Sequence, residues 1–231
     1  MSSENGDGII NLFLQHGWGF AGSSWQGFLP GGDGYNHFLA DRGYFGSPVS
    51  FPEGPVPGTN VTICHSLGLH LLESRQLAQT DLLVILAGFR SFHGETVADG
   101  RFSRRHVARM LAELPVDPLM LLNKFYHDCS FAGGVDDPAA INTALLHRDL
   151  LILDRHSLDP AAVRQIPRVL IVHGVLDRIV PLERGRQLAA SLASATFIEV
   201  EGAGHGLPFT HPRQCRQIIN KALSSPTVSL P

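Results

Sequence analysis

A chain of 231 residues, 44% of them hydrophobic, is long enough for one α/β domain with a buried core. The formal net charge of −3 gives no excess of basic residues of the kind that binds nucleic acid. No apolar run reaches the roughly 18 residues that a membrane-spanning helix requires. The segment MSSENGD is acidic where a signal peptide is basic, and Cys64, Cys129 and Cys215 follow no disulfide or metal spacing. We therefore expect a cytoplasmic protein with reduced thiols and no membrane or nucleic-acid partner.

Strand-like and helix-like segments alternate along most of the chain. The patterns predict strands at 9–15, 37–40, 60–64, 81–89, 167–174 and 195–202, and helices at 67–78, 182–193 and 211–223. The proline-rich segment 48–57 cannot be a helix. This alternation indicates a mostly parallel sheet of about five or six strands.

The segment 90–165 interrupts this alternation. It contains helix-like stretches at 101–114, 117–128 and 136–151, and little strand signal. We therefore predict a core formed by 1–89 and 166–231, with 90–165 inserted as a helical cap over the carboxyl edge of the sheet. That edge is where open α/β sheets bind ligands.

The stretch NVTICHSLGLHLL places Ser66 between a strand and a helix. Cys64-His65-Ser66-Leu67-Gly68 is nearly G-x-S-x-G, the turn that exposes a nucleophilic serine in hydrolases. Taken alone, these five residues fit a helix-capping serine equally well. Cys64 is a small residue whose side chain we expect in the core, since a reactive cysteine needs an activated thiolate.

Two later strand ends carry an acid and a base. Asp177 follows the apolar strand VLIVHG, although a turn-forming aspartate is the simpler interpretation when that loop is taken alone; Asp154 and Asp159 are rivals within the predicted cap. His205 lies in the glycine-rich loop GAGHG, where an imidazole can take and return a proton. We expect His173 to brace the acid loop.

The chain order Ser66, Asp177, His205 is that of the α/β-hydrolases, and it predicts a catalytic triad of nucleophile, acid and base. The oxyanion hole needs two backbone N–H groups. We assign them to Leu67, which follows the nucleophile, and to Trp18 in the loop HGWG after the first strand. Trp18 is also expected to line the substrate pocket, with His16 and Gly17 shaping its loop.

The motifs LFLQHGWG, CHSLG, HGVLDRIVP and GAGHGLPFTHP resemble those of the α/β-hydrolase superfamily. Within it they are similar to the serine carboxylesterases of biotin biosynthesis, which hydrolyse pimeloyl-acyl-carrier-protein methyl ester. The resemblance implies an α/β-hydrolase fold, an acyl-enzyme at Ser66, no cofactor and no metal. It also implies that acyl carrier protein delivers the substrate, and that Leu67, Phe125 and Tyr126 contact it. Ordinary helix packing explains the two aromatic residues equally well.

The predicted cap carries a basic helix face. Arg101, Arg105 and Arg109 are spaced i, i+4, i+8 and could dock an acidic carrier, although a solvated helix face has the same pattern. Three functions stay open at this point. They are the carrier-dependent esterase, a short-chain carboxylesterase or C–C bond hydrolase acting on a small soluble substrate, and a non-catalytic binding protein with a hydrolase fold.

Overall fold

The computed structural model describes residues 8–224, so the outermost residues of the predicted core, 1–7 and 225–231, lie outside it. Six strands form one fully parallel sheet in the order β2-β1-β3-β4-β5-β6. They are β1 Ile10–Gln15, β2 Tyr35–Ala40, β3 Thr59–His65, β4 Leu82–Leu86, β5 Arg168–Gly174 and β6 Ala195–Val200. The prediction of a mostly parallel sheet of five or six strands is confirmed.

Eight α-helices accompany the sheet within the described residues. They are α1 Gly68–Leu71, α2 Ser74–Ala78, α3 Val97–Glu113, α4 Pro118–Asp128, α5 Thr143–Arg155, α6 Leu182–Ala190, α7 Leu207–Thr210 and α8 Pro212–Ser224. Short 3-10 helices form at Gly22–Phe28, Pro138–Ala140 and Pro160–Ala162. No helix in residues 8–224 is long and apolar enough to cross a membrane.

Most predicted helices match the observed ones to within a few residues, and two differ more. The helix expected at 67–78 is broken, because Leu72 and Glu73 are extended, with ψ angles of 133° and 151°. After the break, α2 turns so that the Gln76 amide donates to Thr62 Oγ1 of the sheet at 3.0 Å. The helix expected at 136–151 begins only at Thr143, where the Asn142 side chain accepts from the Leu145 N–H.

Helices α3, α4 and α5 lie between β4 and β5 in the chain, within the segment 90–165. The chain leaves the core and returns to it at neighbouring positions, because Ser91 and Ser157 form an antiparallel bridge and the Leu158 N–H donates to Arg90 O. One apolar cluster joins the three helices to the loops at the carboxyl edge of the sheet. Its members include Trp18, Phe20, Leu67, Phe125, Tyr126 and Leu146. The helices therefore pack directly over the ends of the strands.

Candidate active site

Ser66 lies on a sharp turn between β3 and α1. Its φ of 54° falls in the left-handed region, which costs a residue with a side chain about 1–3 kcal/mol. The turn requires close approach of neighbouring loops, because a Cβ at Gly68 would lie 2.7 Å from Gln15 O. A Cβ at Gly17 would lie 3.1 Å from Ser66 Cβ. The serine is therefore held in the strained geometry of a nucleophile elbow.

The structure brings Ser66, His205 and Asp177 into one hydrogen-bonded chain. Ser66 Oγ lies 3.0 Å from His205 Nε2, and His205 Nδ1 lies 2.8 Å from Asp177 Oδ2. The three residues are 6%, 1% and 8% exposed, so the chain of bonds is shielded from water. Because a carboxylate oxygen accepts, the Asp177 contact places a hydrogen on Nδ1 and leaves Nε2 free to take the serine proton.

The acid loop fixes the Asp177 carboxylate from two sides. Its Oδ1 accepts from the N–H groups of Ile179 at 2.9 Å and Val180 at 2.8 Å, so Asp177 also has the turn-forming contacts of the simpler interpretation. His173 Nε2 donates to Val180 O at 2.9 Å and lies 3.3 Å from Asp177 Oδ2, which is the bracing expected of it. Burial alone would raise the pKa of Asp177, but His205 and His173 hold it well below its usual range.

The two backbone groups predicted to bind an oxyanion are both unoccupied by protein acceptors. Neither the Leu67 N–H nor the Trp18 N–H donates to another residue among 8–224. His16 braces the Trp18 loop, since its Nδ1–H donates to Gly17 O at 2.8 Å and its Nε2 accepts from Arg42 N–H at 2.9 Å. Both residues that carry these N–H groups are buried. Two donors beside Ser66 are thus available to a substrate oxygen.

The predicted substrate contacts divide into two kinds. Phe125 is close to the triad, with its ring 6.5 Å from that of His205 and 5.1 Å from that of Trp18. The Tyr126 hydroxyl and the Trp18 indole N–H each form a hydrogen bond within the protein. The Tyr126 hydroxyl donates to Gly19 O at 2.5 Å, and Trp18 Nε1–H donates to Leu146 O at 2.9 Å. Both bonds join the oxyanion loop to the cap helices.

The three predicted docking arginines, Arg101, Arg105 and Arg109, are exposed on α3 and are not part of the triad. Arg109 pairs with Glu113 at 3.5 Å. The rival acids do not approach Ser66 either: Asp154 lies 3.0 Å from His93 Nε2, and Asp159 accepts from Ala161 N–H. Within residues 8–224, no cluster of His, Cys, Asp and Glu side chains could hold a metal ion.

The sequence patterns did not single out His65, whose position in the structure is informative. Its Nε2 lies 2.9 Å from His205 O, so it contacts the candidate base directly. The only signal in the sequence was its position next to Ser66. Cys64 is where the pattern placed it, fully buried with its Sγ 3.6 Å from Val84 O, and burial raises the pKa of this thiol.

Comparison with solved structures gives the fold its class. A bromoperoxidase from Bacillus anthracis superposes with a TM-score of 0.73 at 17% identity, covering 94% of this chain and 92% of that one. An esterase from Exiguobacterium antarcticum gives 0.71 at 15% identity, over 94% and 93%. The 2-hydroxy-6-oxo-6-phenylhexa-2,4-dienoate hydrolase from Rhodococcus sp. strain RHA1 gives 0.68 at 17% identity, over 94% and 90%. The chain has the α/β-hydrolase fold.

A comparison with protein families adds one match. The family described as Abhydrolase_4, TAP-like protein, matches residues 154–229, about a third of the chain. The matched part includes Asp177 and His205 with their loops. It begins after Ser66, which it does not include. The fold class is therefore supported both by the whole chain and by the segment that carries the acid and the base.

Proposed function

We propose that this protein is a serine ester hydrolase that works through an acyl-enzyme at Ser66. The observation that carries the proposal is the bonded chain from Ser66 Oγ to His205 Nε2, 3.0 Å, and from His205 Nδ1 to Asp177 Oδ2, 2.8 Å. Both distances lie in the range expected for an activated nucleophile and its oriented base. Catalytic roles for Ser66, His205 and Asp177 are part of this proposal.

Each step follows from the geometry of these groups. Ser66 Oγ attacks the ester carbonyl while His205 Nε2 takes its proton, and the carbonyl oxygen gains negative charge beside the N–H groups of Leu67 and Trp18. His205 then gives the proton to the leaving alcohol. The alcohol departs, and the acyl group stays bonded to Ser66 Oγ as an ester. Water then attacks that bond, with His205 removing its proton and returning it to Ser66 Oγ as the free acid departs.

For the substrate, we propose the methyl ester of pimeloyl-acyl-carrier protein, cleaved to methanol and pimeloyl-acyl-carrier protein in the cytoplasm. The support is the likeness of the four strand-end motifs to that esterase family, together with exposed Arg101 and Arg105 on the cap. A cleft of about 370 Å³ lies beside the acid loop between Phe92, Phe102, Ile179 and Pro181. These four residues form an apolar side that suits an acyl chain, and the rest of the lining is polar: Ser103, His106, Asp128, Arg178 and Arg184.

The first experiment tests the hydrolase itself. A fluorophosphonate probe should label the purified protein, and Ser66→Ala should remove the label together with the hydrolysis of p-nitrophenyl butyrate. A wild-type protein that neither reacts with the probe nor cleaves any ester would favour the non-catalytic binding protein.

The second experiment tests the carrier. Changing Arg101, Arg105 and Arg109 together to Gln should lower kcat/KM for the carrier-linked methyl ester by about tenfold or more and leave p-nitrophenyl butyrate unaffected, because exposed charges mainly speed encounter. The matched control changes three other exposed arginines, Arg148, Arg164 and Arg213, to Gln. Equal loss on both substrates would contradict carrier docking.

The short-chain carboxylesterase and the C–C bond hydrolase use the same triad. The likeness to the Rhodococcus hydrolase gives the second of these a specific reason to be tested. Hydrolysis of p-nitrophenyl esters without turnover of the carrier-linked ester would favour the first. Turnover of a vinylogous diketone acid without turnover of esters would favour the second.

A further inference from the structure

His65 has an unusual position beside the proposed machinery. It directly precedes Ser66, its side chain is fully buried, and its Nε2 lies 2.9 Å from the backbone oxygen of His205. A carbonyl oxygen only accepts, so His65 Nε2 carries the hydrogen in this contact. The other ring nitrogen, Nδ1, is buried and has no hydrogen-bond partner among residues 8–224. The neutral ring therefore holds the backbone of the proposed base.

The loop of His205 needs such a contact. Gly202, Gly204 and Gly206 surround the histidine, and glycine gives a loop conformational freedom that other residues would not. The loop is held on its other sides by backbone bonds, from Leu176 N–H to Ala203 O at 2.9 Å and from Gly206 N–H to Cys129 O at 3.2 Å. The bond from His65 acts on the histidine itself.

The His65 ring also separates two parts of the site. Its centroid lies 4.9 Å from the centroid of the His205 ring. On its other side is the oxyanion loop, where a Cβ at Gly17 would lie only 3.3 Å from His65 Nδ1. The ring therefore fills the space between the loop that carries the base and the loop that carries one proposed oxyanion donor.

We infer that His65 is a positioning residue, which holds His205 at the distance from Ser66 Oγ and Asp177 that proton transfer requires. This inference rests on the proposed function. A displacement of about 1 Å in a reacting group can cost about 10²-fold in rate, and the glycine-rich loop would permit such a displacement without His65.

The charge state of His65 agrees with this role. Burial, and next the charge of the neighbouring His205 ring, lower the pKa of His65 to about 3, and His16 adds a smaller lowering effect. The hydrogen bond to His205 O, and next the Asp177 carboxylate, oppose this shift without cancelling it. The ring is therefore uncharged at neutral pH. A neutral ring donates to His205 O without opposing the positive charge that His205 gains when it takes the serine proton.

The test uses three substitutions of His65 that differ in whether, and where, the side chain has an N–H group to donate to His205 O. His65→Gln places an amide nitrogen near the position of Nε2 and should keep kcat for p-nitrophenyl acetate within about threefold. His65→Asn carries the same group one bond shorter, and His65→Phe keeps a ring without a donor. Both should lower kcat by about 10²-fold with little change in KM, because a small ester gains little from substrate contacts.

Two further readouts separate positioning from simple loss of structure. Thermal unfolding identifies any variant that does not fold. If His65→Phe does not fold, the difference in kcat between His65→Gln and His65→Asn still tests the positioning role. The low-field proton resonance of the His205–Asp177 hydrogen bond should persist in His65→Gln and broaden or disappear in His65→Asn. Folded Asn and Phe variants with wild-type kcat and an intact resonance would overturn the inference.

The two proposals fail in different ways. If Ser66→Ala keeps full activity or the wild-type protein is inert, the serine hydrolase proposal fails and His65 has no reaction to serve. If Ser66→Ala is inactive while all three His65 variants are as active as the wild type, only the positioning role is wrong.

Discussion

The carboxyl edge of the sheet and the cap above it hold the candidate active site by different means. At the edge, the loops are placed by backbone contacts so close that a side chain would not fit, as at Gly17 and Gly68. The cap is fastened by side-chain bonds between residues more than 100 positions apart, such as Tyr126 to Gly19 O and Trp18 to Leu146 O. The edge therefore carries the proposed reacting groups, and the cap restrains the loop that carries Trp18.

A buried ion pair also holds the cap to the core. Asp149 of α5 is fully buried, and its carboxylate accepts from Arg42 Nε at 2.7 Å, Arg42 Nη2 at 2.8 Å and the Tyr44 hydroxyl at 2.7 Å. Arg42→Met would leave this charge with one partner, which typically costs about 3–5 kcal/mol. We expect the free energy of unfolding in urea to fall by that amount.

The exposed pair of Arg186 with Glu199, 2.8 Å apart, provides the control. Arg186→Met should cost less than about 1 kcal/mol, because solvent-exposed pairs contribute little. Equal effects of Arg42→Met and Arg186→Met would show that the cap does not depend on the buried pair.

At the sheet edge, the largest expected effect is on activity. Gly17→Ala would place a Cβ 2.9 Å from His65 O and 3.1 Å from Ser66 Cβ, so the oxyanion loop must shift away. We expect kcat for p-nitrophenyl acetate to fall by about 10²–10³-fold, the usual cost of losing one oxyanion donor. Gly27→Ala, which meets no atom within 4 Å, should leave kcat unchanged. Wild-type kcat in Gly17→Ala would contradict the assignment of Trp18 as a donor.

These two regions also differ in how far the sequence predicts them. Ser66, Asp177 and His205 each follow a strand, and parallel strands bring their carboxyl ends to one edge, so their meeting could be predicted. The break of the helix at Leu72 and the pairing of Arg42 with Asp149 could not be predicted. Both depend on contacts between segments that no local periodicity connects.

Lowering the pH should destabilise the folded protein through His65, which lies at the sheet edge. Its pKa is lowered from about 6.5 to about 3, so below pH 6.5 the unfolded chain binds a proton that the folded protein excludes. The contribution of His65 to stability is therefore complete above pH 6.5 and declines as the pH falls towards 3, by at most about 1.4 kcal/mol per pH unit.

The measurement compares urea unfolding of wild type and His65→Phe at pH 7, 6, 5 and 4. Phenylalanine does not titrate, so the variant should lose less stability between pH 6.5 and 4 than the wild type does. Parallel curves for the two proteins would show that His65 is not held neutral in the fold.

The link between the cap and the oxyanion loop predicts a smaller effect on catalysis. Tyr126→Phe removes the bond to Gly19 O and keeps the ring that packs on Phe20 and Phe131. We expect kcat for p-nitrophenyl acetate to fall by about tenfold, equivalent to about 1.4 kcal/mol, because a less restrained loop places the Trp18 N–H less well. If Tyr126 only contacts long acyl chains, this small ester should be hydrolysed at the wild-type rate.

The smallest expected effect is at Cys64, the residue that departs from the G-x-S-x-G pattern. Cys64 belongs to a buried apolar cluster that includes Leu69, Leu83 and Ile85, and its thiol contacts Val84 O. Cys64→Gly should leave kcat/KM within about twofold, since glycine meets the size requirement of the elbow. The free energy of unfolding should fall by about 1–2 kcal/mol, because a small cavity opens and a strand residue gains backbone freedom. Loss of activity in a folded Cys64→Gly protein would mean that the cysteine does more at the elbow than fill space.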